Sequence, residues 1–65
     1  DHELARAVLS LRPQLREAVL LCWYQELSAG EAARALGVSR STVYNRLNKA
    51  RRRLRGELEA WHEEK

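Results

Sequence analysis

The sequence is poor in several residue types, and each shortage excludes a class of protein. Its single cysteine, Cys22, rules out an internal disulfide. His2 and His62 lie far apart with no cysteine or carboxylate at ligand spacing, so no zinc site is predicted. No apolar run approaches the roughly 20 residues that a membrane-spanning helix needs. A chain of 65 residues has room for one modest core, which favours a binding module over an enzyme. We expect no metal, cofactor, small-molecule substrate or membrane partner.

Patterns typical of β-strands are also missing. No run alternates apolar and polar residues, and the only strong turn formers are one proline and three glycines. Apolar residues recur instead at three- and four-residue steps, as on one face of a helix. We therefore predict an all-α fold that forms a single domain over residues 1–65. The four predicted helices cover about residues 2–10, 13–25, 28–36 and 40–62.

The second helix is predicted to be the hub of the core. Pro13 suits the first turn of a helix and marks its start. The run at residues 18–24 is almost entirely apolar, and we interpret Cys22 within it as a small buried hydrophobe rather than a reactive thiol. The side chains predicted to be buried together are Val19, Leu20, Trp23, Ala33, Leu36, Val43 and Leu47.

Residues 28–55 carry the pattern of a helix-turn-helix. Ser28 and Glu31 have the spacing of a capping box, in which each side chain bonds the backbone N–H of the other residue. Gly37 then ends the third helix, because a glycine adopts the left-handed turn conformation without strain. Ser39 can cap the next helix. The small and apolar positions of the motif follow as Ala29-x3-Ala33-x3-Gly37-x5-Val43.

Positive charge is concentrated in one block of the chain. Residues 39–55 contain seven basic side chains and no acidic one, although the net charge of the whole chain is only +3. Such a local field attracts a polyanion such as DNA. A solvated charged helix face is the simpler alternative reading of the same run.

The side of the fourth helix opposite its apolar seam carries hydrogen-bonding residues. Asparagine can pair with adenine through both amide atoms, and lysine or arginine can reach the guanine edge. Arg51, Arg53 and Arg55 point more to the sides and are better placed for phosphates. Tyr44 has a second interpretation, partial burial against the third helix. The candidate DNA-contacting residues are Arg40, Ser41, Tyr44, Asn45, Arg46, Asn48, Lys49, Arg52 and Arg53.

Residues 11–54 closely resemble region 4 of bacterial sigma factors, most of all the extracytoplasmic-function (ECF) group. The resemblance has no gap and covers about two thirds of the chain. The matching residues are Leu11-x-Pro13-x2-Arg16-Glu17, Leu27-Ser28-x2-Glu31-x-Ala33, Leu36-Gly37-Val38-Ser39 and Ser41-Thr42-Val43-x2-Arg46-Leu47-x2-Ala50-Arg51-x2-Leu54.

This resemblance implies a bacterial, cytoplasmic role in transcription initiation. The fourth helix is expected to read the −35 promoter element, while an apolar groove of the other helices holds the flap of the RNA polymerase β subunit. An anti-sigma factor is a further implied partner. Arg16 and Arg34 become candidate contacts to the DNA backbone. The implied promoter readers are Arg40, Ser41, Tyr44, Asn45, Asn48 and Lys49.

Some positions depart from the family pattern. Ala32 stands where a larger aliphatic residue is usual, and Tyr44 and Asn45 replace the usual basic and small residues, so the promoter sequence cannot be copied from relatives. We expect the surplus of large apolar side chains to form the polymerase or anti-sigma surface. Its predicted members are Leu4, Val8, Tyr24 and Trp61.

Two other functions fit the same helix order. The DNA-binding domain of a LuxR-type response regulator shares it, but the Leu11-x-Pro13 opening and the ending at residues 46–51 favour a sigma factor. A protein-interaction module that never touches DNA is the second alternative, and the absence of acidic residues from 40 to 55 argues against it.

Overall fold

The computed structural model describes the backbone of residues 2–63 and the side chains of residues 2–56. Within these residues the chain is helical and has no strand, so the predicted all-α class is confirmed. Trp61, one of the predicted partner-surface residues, lies outside the described side chains. The elements are α1 (His2–Leu9), α2 (Pro13–Val19), a π-helical turn (Leu20–Tyr24), α3 (Ala29–Leu36) and α4 (Arg40–Glu63).

A short corner joins α1 to α2. Arg12 is extended at φ −56° and ψ 147°, and Pro13 follows in the first turn of α2, where its missing N–H would have no helical partner in any case. Arg16 reaches back across the corner, and its Nη1 donates to the carbonyl oxygen of Leu9 at 3.3 Å. Leu11 is buried beneath the corner. The corner is therefore fixed both by proline and by a side-chain hydrogen bond.

The second predicted helix does not stay α-helical to its end. From Leu20 to Tyr24 it winds as a π-helix, and the N–H of Gln25 donates to the carbonyl of Leu20, five residues earlier, at 3.0 Å. Glu26 then adopts a left-handed conformation with φ 60°. The Leu27 N–H donates to the Leu21 carbonyl, six residues earlier, at 2.9 Å, so a backbone hydrogen bond also closes the end of the π turn.

The caps predicted for α3 are present. Ser28 Oγ accepts from the Glu31 N–H at 3.1 Å, and a Glu31 carboxylate oxygen accepts from the Ser28 N–H at 2.9 Å. Gly37 ends the helix with φ 71° and ψ 34°, which is the conformation that favours glycine. These local contacts fix where α3 begins and where the chain turns toward α4.

The core lies where α1, α2 and α3 each pack against α4. Alanines and valines occupy its centre: Val19, Val43, Ala32 and Ala50 have no exposed surface. Small side chains let helix backbones approach closely, which leaves little room at the centre for larger ones. The buried residues are Ala7, Val8, Leu11, Leu15, Ala18, Val19, Ala32, Ala33, Val43, Leu47, Ala50 and Leu54.

Three members of the predicted core lie at its rim instead. Leu20 and Leu36 are half-buried, and Trp23 keeps 37% of its surface exposed. The prediction was wrong for these residues because helical spacing cannot tell the centre of a small core from its edge. Cys22 is half-buried against the core, and burial raises the pKa of its thiol, as expected for a packing residue rather than a nucleophile.

Candidate nucleic-acid interface

The start of α4 is shaped by Ser39. Its Oγ accepts from the Thr42 N–H at 3.1 Å and lies 3.0 Å from the Thr42 hydroxyl oxygen. The predicted cap is thus present. The Ser39 side chain satisfies one of the free N–H groups of the first turn. The remaining N–H groups of that turn lie at the positive end of the helix dipole.

One side of α4 is buried and the other faces solvent. Val43, Leu47, Ala50 and Leu54 form the buried seam. At about 3.6 residues per turn, the predicted DNA-reading residues fall on the opposite side, and all of them are exposed. The structure therefore brings together Ser41, Tyr44, Asn45, Asn48, Lys49 and Arg52 on one free face.

A basic groove runs along one flank of this face. It separates α4 from the first turn of α2, and none of its described lining residues is acidic. Arg46 is half-buried in its wall rather than on the open face. Sequence reasoning missed Arg12 and Gln14, which line the groove from α2. Its lining consists of Arg12, Gln14, Leu15, Thr42, Asn45, Arg46, Lys49, Arg52 and Arg53.

The helical pattern alone could not have assigned Arg12 to this groove. Arg12 lies in the corner between two helices, well before the basic block of residues 39–55 in sequence, and only the packing of α2 on α4 brings them together. The one available signal was the charge itself beside Pro13. The groove gathers five basic side chains, so repulsion among them favours an anionic occupant.

The opposite flank is formed with α3. Arg40 and Tyr44 line a shallow depression together with Arg34 and the small residues of α3. Tyr44 borders α3 there, yet 57% of its surface remains exposed. Arg34 is exposed on the same flank. Arg16, the other residue implied as a backbone contact, is half-buried and bonded to the Leu9 carbonyl.

Arg51 is held against the body of the domain. Its guanidinium carbon lies 5.6 Å from the centroid of the Trp23 ring, within the range of a cation–π contact. Its Nη1 also donates to the Oδ1 of Asn48 at 2.9 Å. Arg51, Arg53 and Arg55 are all exposed, but Arg51 has two partners within the domain.

The residues predicted to form the partner surface differ in exposure. Val8 is 2% exposed and belongs to the core, so its assignment to this surface was wrong. It faces inward because α1 packs on both α2 and α4. Leu4 is half-buried, and Tyr24 is 52% exposed. An apolar depression between the π turn and the end of α3 is lined by Glu17, Leu20, Leu21, Gln25, Ala35 and Leu36.

The described part of the chain contains neither a candidate metal site nor a candidate membrane-spanning helix. No group of histidine, cysteine and carboxylate side chains there is arranged to hold a metal ion. Among those same residues, no helix has both the length and the hydropathy to cross a bilayer.

Comparison with known proteins gives one consistent family. The family model described as "Sigma-70, region 4" matches residues 1–54. The chain is 44% identical over 61 residues to an RNA polymerase sigma-E factor of Streptomyces avermitilis, a match that covers 92% of this chain and 34% of the relative. It is 41% identical over 56 residues to the ECF RNA polymerase sigma factor SigE of Mycolicibacterium smegmatis, which covers 86% of this chain and 22% of that relative.

The chain spans about a third or less of the length of these curated relatives. A second sigma-E factor, from Streptomyces antibioticus, is 43% identical over 56 residues, and the chain covers 31% of it. No solved structure is significantly similar to the chain.

Proposed function

Because this chain belongs to the sigma-70 region 4 family, we propose that it is the promoter-binding domain of an ECF sigma factor. Its α4 reads the −35 element in the major groove, and the apolar rim of its other helices binds the β flap of RNA polymerase. The observation that carries the proposal is the free face of α4, which is exposed, polar and basic from Arg40 to Arg55.

The proposed docking of α4 on DNA assigns a different contact to each part of the free face. The first turn of α4 presents backbone N–H groups to a phosphate, as helix N-termini commonly do. Ser41, Asn45 and Lys49 follow at four-residue steps and reach the bases. Arg53 and the basic groove beside α2 track the phosphates along the edge of the major groove. Phosphate contacts position the domain, and base contacts give it sequence preference.

The first experiment selects bound duplexes from a random DNA library and titrates salt. We expect one enriched motif, and a log–log salt slope that reflects several neutralised phosphates. A protein-interaction module would bind no duplex in a salt-dependent way. The absence of any enriched motif would contradict promoter recognition by this chain.

Two substitutions then separate base reading from phosphate binding. Lys49→Ala is expected to relax preference at one base position and to weaken the selected duplex by about 1–3 kcal/mol. Arg53→Ala is expected to weaken selected and random duplexes alike and to lower the salt slope by about one. Arg6→Ala removes the same charge from the exposed side of α1 and serves as the control. Equal losses on both duplexes for Lys49→Ala would contradict the proposed docking.

The polymerase contact is tested separately. Tyr24 ends the π turn, whose Leu20 and Leu21 line one wall of the apolar depression, and more than half of its surface is exposed. Tyr24→Ala is expected to weaken binding to core polymerase and to leave DNA binding unchanged. An anti-sigma factor, the third proposed partner, covers the same rim and competes with polymerase for it. Unaltered polymerase binding by Tyr24→Ala would place the flap elsewhere.

A further inference from the structure

One predicted DNA-reading residue is connected through an arginine to a tryptophan at the rim of the core. Trp23 lies in the π turn, and its ring faces the guanidinium of Arg51 at 5.6 Å. Arg51 in turn donates to the Oδ1 of Asn48 at 2.9 Å, one helical turn earlier on α4. The three side chains form a chain of contacts from the edge of the core to the free face of α4.

The contact with Trp23 restricts Arg51. An arginine on a helix surface has many rotamers, and a ring beneath its planar guanidinium favours those that lie flat against it. Trp23 keeps 37% of its surface exposed, so more of the side chain is covered by its neighbours than is open to solvent. Arg51 is therefore a positioning residue because of its contact with the Trp23 ring, whereas we assign Arg53 to phosphate binding.

Arg51 also determines which way the Asn48 amide faces. A carboxamide has an acceptor oxygen and a donor nitrogen of nearly equal shape, and its neighbours decide its orientation. A guanidinium offers only donors. The Oδ1 of Asn48 must therefore face Arg51, and its Nδ2 points away from Arg51.

We propose that Trp23 and Arg51 together fix Asn48 as a hydrogen-bond donor toward DNA and thereby determine its base preference. The inference rests on the proposed function of α4. An asparagine that reads adenine uses both amide atoms, whereas a fixed donor selects any base with an acceptor in the major groove, namely guanine, thymine or adenine N7. Cytosine, which offers a donor there, is the base that Asn48 rejects.

The test compares base preferences after selection from the random duplex library. Asn48→Ala first identifies the position that Asn48 reads. Trp23→Leu is then expected to reduce discrimination against cytosine at that same position by about two- to tenfold, the effect of one hydrogen bond. Preferences at the Lys49 position, binding to random duplex and the salt slope are expected to stay unchanged.

Two further variants separate positioning from general structure. Trp23→Phe keeps an aromatic face and is expected to retain the preference that Trp23→Leu loses. The glutamine of Arg51→Gln can turn either amide atom toward Asn48. This variant is therefore expected to relax the base preference at the position that Asn48 reads, even with Trp23 unchanged. Because Arg51 is exposed, this variant tests the inference even if Trp23→Leu does not fold.

Three outcomes would overturn the inference. In the first, Asn48→Ala changes one base position and neither Trp23→Leu nor Arg51→Gln affects it. In the second, Arg51→Gln lowers the salt slope and weakens random duplex as Arg53→Ala does, which makes Arg51 a phosphate contact. Either leaves promoter recognition intact. If the unmodified chain selects no motif, the proposed function fails and this inference fails with it.

Discussion

At the scale of single residues, Glu31 links the folding of the DNA-binding motif to pH. Hydrogen bonding to the Ser28 backbone N–H, then to the Ser28 side chain, and the nearby charge of Arg34 together lower the pKa of Glu31. A carboxylate whose pKa is lower in the folded chain stabilises it above the unfolded pKa, and this contribution disappears as pH falls through the folded pKa.

We therefore expect the free energy of unfolding of Glu31→Gln to fall less steeply with acidification than that of the unmodified chain. The window lies below about pH 4.5, the ordinary pKa of a glutamate. Glutamine can still accept from the Ser28 N–H, so the variant removes charge and keeps the shape of the capping box. Denaturant unfolding at a series of pH values measures the effect. Glu17→Gln, at an exposed position of α2, is the control. If the free energy of unfolding fell equally in acid for Glu31→Gln and the unmodified chain, the prediction would be contradicted.

Residues whose roles are local could be predicted from the sequence. Ser28, Glu31 and Ser39 act on backbone groups three residues away, and Gly37 acts on its own conformation, so spacing was sufficient to place all four. Trp23 could not be placed, because its environment is created by α4, nearly 30 positions later.

At the scale of elements, α4 contains a correctable weakness at Gly56. Glycine inside a helix is less favourable than alanine by about 1 kcal/mol because it has more conformational freedom to lose. A Cβ built at Gly56 meets nothing within 4 Å. Gly56→Ala is therefore expected to raise the free energy of unfolding by about 1 kcal/mol, measured by thermal or denaturant unfolding.

Gly37→Ala is the contrasting variant. The space around Gly37 is equally open, but its φ is +71°, and an alanine there is strained by its backbone conformation. It is expected to destabilise the chain. No gain in stability for Gly56→Ala would contradict the role of helix propensity at residue 56. A gain for Gly37→Ala would contradict the conformational requirement at residue 37.

The sequence predicted where the helices begin, but it did not predict that the second helix ends in a π-helical turn. The starts at Pro13, Ala29 and Arg40 follow from proline and the two serine caps. The π turn has no comparable signature, because an i→i−5 bond uses the same backbone groups as an α-helix and nothing in the run at residues 20–24 excludes either. The wider last turn determines where Trp23 and Tyr24 lie.

At the scale of the whole molecule, stability depends on a thin core. Leu47 is 8% exposed and lies in the seam of α4 that the other helices cover. Leu47→Ala removes three carbons there and is expected to cost about 2–4 kcal/mol through lost burial and a residual cavity. For a domain whose core supplies only about 3–5 kcal/mol, that loss leaves much of the chain unfolded at room temperature.

Leu9→Ala is the matched control, because Leu9 is 64% exposed on α1. Its expected cost is within about 0.5 kcal/mol, as for most surface substitutions. Denaturant unfolding of both variants compares them directly. If Leu47→Ala were as mild as Leu9→Ala, the seam of α4 would not be the core.

The overall helix order and the buried seam were within reach of sequence reasoning, since Val43, Leu47, Ala50 and Leu54 recur at helical spacing. The basic groove was not. It exists only because the corner at Arg12 packs beside α4, and a contact between positions so distant in sequence leaves no periodic trace.

The packing of every other α-helix on α4 has a consequence for amide hydrogen exchange. A helix that is the shared partner of all others cannot open alone, because releasing it exposes the whole core. Amides of residues 43–50 are therefore expected to exchange with deuterium only through global unfolding, at the same free energy as the buried turns of α2 and α3. The helix proposed to meet DNA is, on this reasoning, among the slowest segments to exchange, so the proposed binding surface is already rigid before contact.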